Sequence, residues 1–142
     1  MKGKKRNILV YLIDDSQFIR HLASLIERHE DNVRIKTFRD AESCIIECNL
    51  KEPDLIFLDY YLNYRNDFEG NGDVVLRYVK EFMPHIKVVL LTNLSDKSRI
   101  DELLHIGFDG FIHKGEGNFL VNVMYCISKF TDIDHPEYSN FT

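Results

Sequence analysis

Ile8-Leu-Val-Tyr-Leu-Ile13 is continuously apolar and gives way at once to Asp14-Asp15-Ser16. The run has strand length, and its lack of polar–apolar alternation is how a strand covered on both faces reads. Four more segments share that character. Residues 33–38, 54–58, 87–91 and 110–113 are short and rich in β-branched or aromatic residues. Two of them are again apolar almost throughout, over 55–58 and 88–91.

Longer amphipathic stretches separate these runs. Residues 17–30 set Phe18, Leu22, Leu25 and Ile26 on one stripe facing the interior, with Ser16 placed to cap the helix. Ala41–Leu50 follows Asp40, a second cap candidate. Asp73–Phe82 ends ahead of Pro84, which a helix interior excludes. Lys97–Ile106 stops at Gly107, the glycine expected just past a helix end, and 118–130 closes the series. Strand followed by helix, about five times over, predicts a doubly wound, three-layer α/β domain with a parallel sheet. That domain spans 1–130, and the polar residues 131–142 read as a tail or the start of a linker.

Composition narrows the function. The 142 residues, 44% hydrophobic and 29% charged, suffice for a core without metal or disulfide staples. A net charge of -5 lacks the basic footprint of a nucleic-acid binder, and Lys2, Lys4, Lys5 and Arg6 read as a solvated tail. No run approaches the roughly 18 apolar residues of a membrane span. The first apolar run is too short for a signal peptide and ends in acids with no cleavage site, so a cytoplasmic protein is expected. Three cysteines fit a reducing compartment. Cys44 and Cys48 lie one helical turn apart, but no further cysteine or histidine completes a zinc set, so they read as small residues beside the core.

In a sheet of this kind ligands bind at the carboxyl ends of the strands. Asp14 and Asp15 end the first strand, Asp59 the third and Thr92 the fourth, and Lys114 follows the fifth. Clustered carboxylates repel one another and suit a hard cation such as Mg²⁺ with oxygen ligands. A lysine opposite them supplies a point charge for a phosphate, and a threonine hydroxyl can bond a phosphoryl oxygen. Carboxylate nucleophile, metal and lysine together make a phosphoryl-transfer site.

The stretches Val10-Tyr-Leu-Ile-Asp-Asp-Ser16, Asp54-Leu-Ile-Phe-Leu-Asp59, Val88-Val-Leu-Leu-Thr92 and Gly107-Phe-Asp-Gly-Phe-Ile-His-Lys114 resemble, in order and spacing, the response-regulator receiver family of two-component phosphorelays. The match covers about residues 7–130. It implies a flavodoxin-like (βα)5 fold with sheet order 2-1-3-4-5. It implies that Asp59 is the phospho-acceptor, Asp15 a direct Mg²⁺ ligand, Asp14 a ligand mostly through water, and the Tyr61 carbonyl a further ligand. Lys114 and the backbone of Asn93 are the implied phosphoryl partners, and Thr92 with Phe111 the switch pair. The implied donor is a sensor histidine kinase or phosphotransfer protein. The implied reader is a protein partner or second copy at the face of the fourth helix, fifth strand and fifth helix, without direct nucleic-acid or membrane contact. The only catalysis implied is of the chain's own phosphorylation and dephosphorylation.

Four departures stand out. Gly115 follows Lys114 where the family usually has proline; residues 62–71 carry an insertion of roughly five residues; Asn93 is bulkier than the usual small residue; and neither Tyr61 nor Leu94 is suited to orient the water for dephosphorylation. In the inserted loop, Tyr64 and Phe68 suggest a lid or partner contact, against the plainer reading of a solvated loop. Two other functions compete. A phosphatase of the haloacid dehalogenase type uses the same groups, but its nucleophile belongs to an early Asp-x-Asp and its acidic pair comes late. A receiver-like binding module independent of phosphorylation would not need the intact acceptor set.

Overall fold

The computed structural model describes residues 6–14, 16–59, 73–93, 97–115 and 117–131. Strands and helices alternate: β1 (Ile8–Ile13), α1 (Gln17–His29), β2 (Val33–Phe38), α2 (Ala41–Leu50), β3 (Leu55–Asp59), α3 (Asp73–Phe82), β4 (Lys87–Thr92), α4 (Lys97–Ile106), β5 (Gly110–His113) and α5 (Phe119–Thr131). All pairings are parallel, in the order β2-β1-β3-β4-β5. This is the doubly wound, flavodoxin-like arrangement expected from the sequence.

The pleat divides the core in two. Val10 and Leu12 of β1, Leu55 and Phe57 of β3, and Val89 and Leu91 of β4 pack towards α1 and α5. Their neighbours Tyr11, Ile13, Ile56, Leu58, Val88 and Leu90 pack the other way, with α2 and α3. Because both faces are covered, the central strands need no polar side, which explains the unbroken apolar runs. Cys44 and Cys48 are buried as free thiols in the second of these clusters, as core residues.

Several local devices fix the elements. The side chain of Ser16 accepts from the Ile19 N–H and caps α1, and Asp40 accepts from the Ser43 N–H and caps α2. Gly107 has a φ of 136°, which a side chain disfavours, and carries the chain from α4 back towards β5. At the amino edge of the sheet, Arg6 donates to both Asp54 Oδ1 and the carbonyl of Thr131. Asp54 Oδ2 accepts from the Leu9 N–H. The start of β1 and the end of α5 are therefore held together.

One expectation fails. Phe18 and Leu25 do not face the interior: they are 65% and 37% exposed, and the buried stripe of α1 is Ile19, Leu22, Ala23 and Ile26. Phe18 lies one position, or about 100°, off that stripe, where its ring meets Phe119 at 6.4 Å. Boundaries move slightly too. Strand β3 starts after Asp54, whose carboxylate is engaged at the sheet edge, and β4 runs on through Thr92. Among the described residues no helix is long and apolar enough to cross a membrane.

Candidate functional site

Because β1, β3, β4 and β5 are successive neighbours in the sheet, their carboxyl ends lie side by side. Asp14 directly follows β1, Asp59 and Thr92 are the last residues of β3 and β4, and Lys114 follows β5. Asp14, Asp59 and Thr92 are all buried, a rare situation for such residues unless they are paired.

Their surroundings answer that need. The Asp14 N–H donates to the Phe38 carbonyl at 3.0 Å, which extends the β1–β2 ladder by one residue. Asp14 Oδ1 accepts from the Ser16 N–H at 2.8 Å, so the residue that caps α1 also aims this carboxylate. The Lys114 N–H donates to the Thr92 carbonyl at 2.8 Å and holds the lysine at the end of β4. From there its ammonium Nζ comes to 2.7 Å from Asp14 Oδ2 and 3.0 Å from Asp59 Oδ1. Burial alone would lower the pKa of this ammonium. The hydrogen bond to Asp14 and the charges of Asp59 and Asp14 outweigh burial, and the pKa is raised.

Two carboxylates thus share one ammonium. An oxygen-only donor pair of like charge, buried at a sheet edge, has the chemistry that hard divalent cations select. Among the described residues no three acidic, histidine or cysteine side chains gather into a metal set. The expected ligands Asp15 and Tyr61 lie outside the described residues, as do Leu94 and the insertion at 62–71 with Tyr64 and Phe68.

The other candidates fall nearby. Thr92 is fully buried, whereas Phe111 is 45% exposed, and Asn93 is exposed at the end of β4. Phe111 sits opposite Leu90 in the β4–β5 register, with His113 opposite Thr92, so all four share one face of the sheet. A cavity of about 350 Å³ opens at the β5–α5 edge, away from the carboxylates, lined by residues that include Phe111, His113, Tyr125, Lys129 and Phe130.

Sequence reasoning misses His113. Its ring Nδ1 accepts a hydrogen bond from the Gly115 N–H at 3.0 Å.

Comparison with known proteins bears on the family and the fold. The model of the response regulator receiver domain matches residues 10–122. The transcriptional regulatory protein LnrK of Bacillus subtilis is 29% identical over 108 residues, 75% of this chain and 47% of the relative. The chain spans about half the length, or less, of the curated relatives it matches. Among solved structures, the isolated REC domain of RcsB from Salmonella enterica serovar Typhimurium, in the presence of phosphomimetic BeF3-, aligns with a TM-score of 0.73 at 18% identity, over 95% of this chain and 98% of that one. The Mn(2+)-bound form of response regulator Rcp1 aligns with a TM-score of 0.70 at 19% identity, over 87% and 93% of the two chains. With the sheet order, the acid–lysine edge and the family match in agreement, the chain belongs to the response regulator receiver domains of two-component systems.

Proposed function

We propose that this receiver domain is a working, cytoplasmic phospho-acceptor, switched by phosphorylation of Asp59. The observation that carries the reading is the meeting of Asp14, Asp59 and Lys114 at the ends of three strands. Asp59 attacks phosphorus with a carboxylate oxygen as the bond to the donor breaks, and the donor leaves with the bonding electrons. The donor is a sensor histidine kinase or a phosphotransfer protein. Asp14, Asp15, Asp59 and the Tyr61 carbonyl would hold Mg²⁺, whose role is to neutralise phosphoryl charge. The Mn(2+)-bound form of Rcp1 and the RcsB REC domain in the presence of phosphomimetic BeF3-, both of the same fold, support a divalent cation and a phosphoryl group as the ligands to test here.

Lys114 then trades part of its contact with Asp59 for a phosphoryl oxygen, while the Thr92 hydroxyl and the Asn93 N–H donate to the others. Moving a switch from 1:99 to 99:1 takes about 5.5 kcal/mol. Charge-assisted hydrogen bonds contribute roughly 1.5–3 kcal/mol each, so two or three suffice. As Thr92 turns to the phosphoryl group, the exposed Phe111 moves inward on the same sheet face. This reshapes the surface of α4, β5 and α5, including the β5–α5 cavity, for a downstream partner or a second copy. The chain turns over no other substrate and contacts neither nucleic acid nor membrane itself.

The test is incubation with Mg²⁺ and acetyl phosphate, read by intact mass. One added phosphoryl group, absent from Asp59→Asn, is expected. No addition to the folded wild-type chain would overturn the proposal in favour of a module that binds without phosphorylation.

A further inference from the structure

Taking Lys114 as the phosphoryl partner, we infer that His113 is a positioning residue for it, in the role a rigid residue after the lysine would play. Two bonds hold the turn in which Lys114 sits. On one side the Lys114 N–H donates to the Thr92 carbonyl at 2.8 Å. On the other the Gly115 N–H donates to His113 Nδ1 at 3.0 Å. Glycine alone leaves the backbone free, and the bond to His113 restrains the residue after Lys114.

The histidine and the glycine fit each other. A Cβ at position 115 would stand 3.1 Å from His113 Cε1 and 3.3 Å from Nδ1, closer than ordinary contact. A larger residue at 115 therefore requires the ring to give by a few tenths of an ångström. His113 also lies opposite Thr92 in the β4–β5 register. The same residue thus touches the turn that carries the lysine and pairs with the strand end that carries the switch threonine. This bond is one restraint on the turn that presents a lysine held at 2.7 and 3.0 Å from two carboxylates.

Two readouts on the full chain test this in the wild type, His113→Leu and His113→Asn. Asparagine keeps an acceptor oxygen close to the position of Nδ1, and leucine keeps bulk without one. The first readout is amide exchange of Gly115 by NMR, which is independent of phosphorylation. Faster exchange in the leucine variant, with protection restored by asparagine, is expected. The second is the rate of phosphorylation by acetyl phosphate with Mg²⁺. Leucine should slow it about three- to tenfold, the range one net hydrogen bond supports, and asparagine should recover most of the loss. Gly115→Ala should slow the reaction more in the wild-type chain than in His113→Asn, because among the described residues it is the imidazole ring that stands in the way of the added Cβ. Unchanged Gly115 exchange in His113→Leu, or equal rates in the wild type and both His113 variants, would overturn the role of His113. A wild-type chain that takes no phosphoryl group would instead overturn the acceptor reading, and the exchange data would still decide whether the bond exists.

Discussion

Lys114 is the one cation that the described residues bring against two buried carboxylates, and its removal has a definite sign. Lys114→Met should destabilise the fold by roughly 1–3 kcal/mol, the cost of leaving charged partners unsatisfied, read from urea unfolding without metal. Mg²⁺ should stabilise the variant more than the wild type, since the ion then competes with no ammonium for the two carboxylates. The raised pKa of Lys114 sets a pH window. A raised pKa means that the folded state binds the proton more tightly, so the contribution is fully present below the ordinary value of 10.5. It is lost as pH rises through the higher folded-state value. Stability should fall over that range in the wild type and fall less in Lys114→Met, as chemical unfolding at alkaline pH would register. Lys114, Asp14, Asp59 and Thr92 were legible in the sequence because ionisable or hydroxyl groups directly after apolar strands have few reasons to be there. His113 was not, because its role is a ring-to-backbone contact two residues away that leaves no periodic trace.

Helix and strand identities were readable because the apolar runs are long relative to a strand and the turns carry Gly, Pro or capping residues. Their phases were less so. The periodicity of α1 fixes that a stripe exists, yet Phe18 and Ile19 are adjacent apolar residues and only packing against Phe119 decides which faces outward. Strand β4 ends on Thr92, as its place after the apolar run suggests, and parallel pairing with His113 of β5 continues there. The link between α4 and β5 makes a sharper expectation. Gly107→Ala places a Cβ at a φ of 136° and 3.2 Å from Lys80 Cε. It should cost about 1–2 kcal/mol, since a left-handed backbone is disfavoured by that amount for a residue with a side chain. A lowered midpoint in urea with an unchanged slope is the result that checks it. Asp40→Ala removes the cap of α2 and should cost about 1 kcal/mol, measured the same way.

On the proposed switch, the molecule as a whole would couple a buried edge to an exposed side. The chain contains no tryptophan, so Phe111→Trp would introduce a single reporter on β5. With the native side chain 45% exposed, its emission should start near that of a solvated indole and shift to the blue on phosphorylation. An unshifted spectrum in a chain whose mass shows the added phosphoryl group would refute the inward movement of this residue. The sheet order was legible only through the family resemblance. Alternation of strands and helices dictates a parallel sheet, but several orders satisfy it equally.

The bridge from Arg6 to Asp54 and the carbonyl of Thr131 ties the chain's entry and exit at the pole opposite the acid cluster. The described fold is thus wired like a plug with residues 6 and 131 at one end. A pair of dyes placed at Asn7 and Lys129, both exposed and close in sequence to this bridge, should stay close together whatever the state of Asp59, and would serve as an internal standard and not as a sensor.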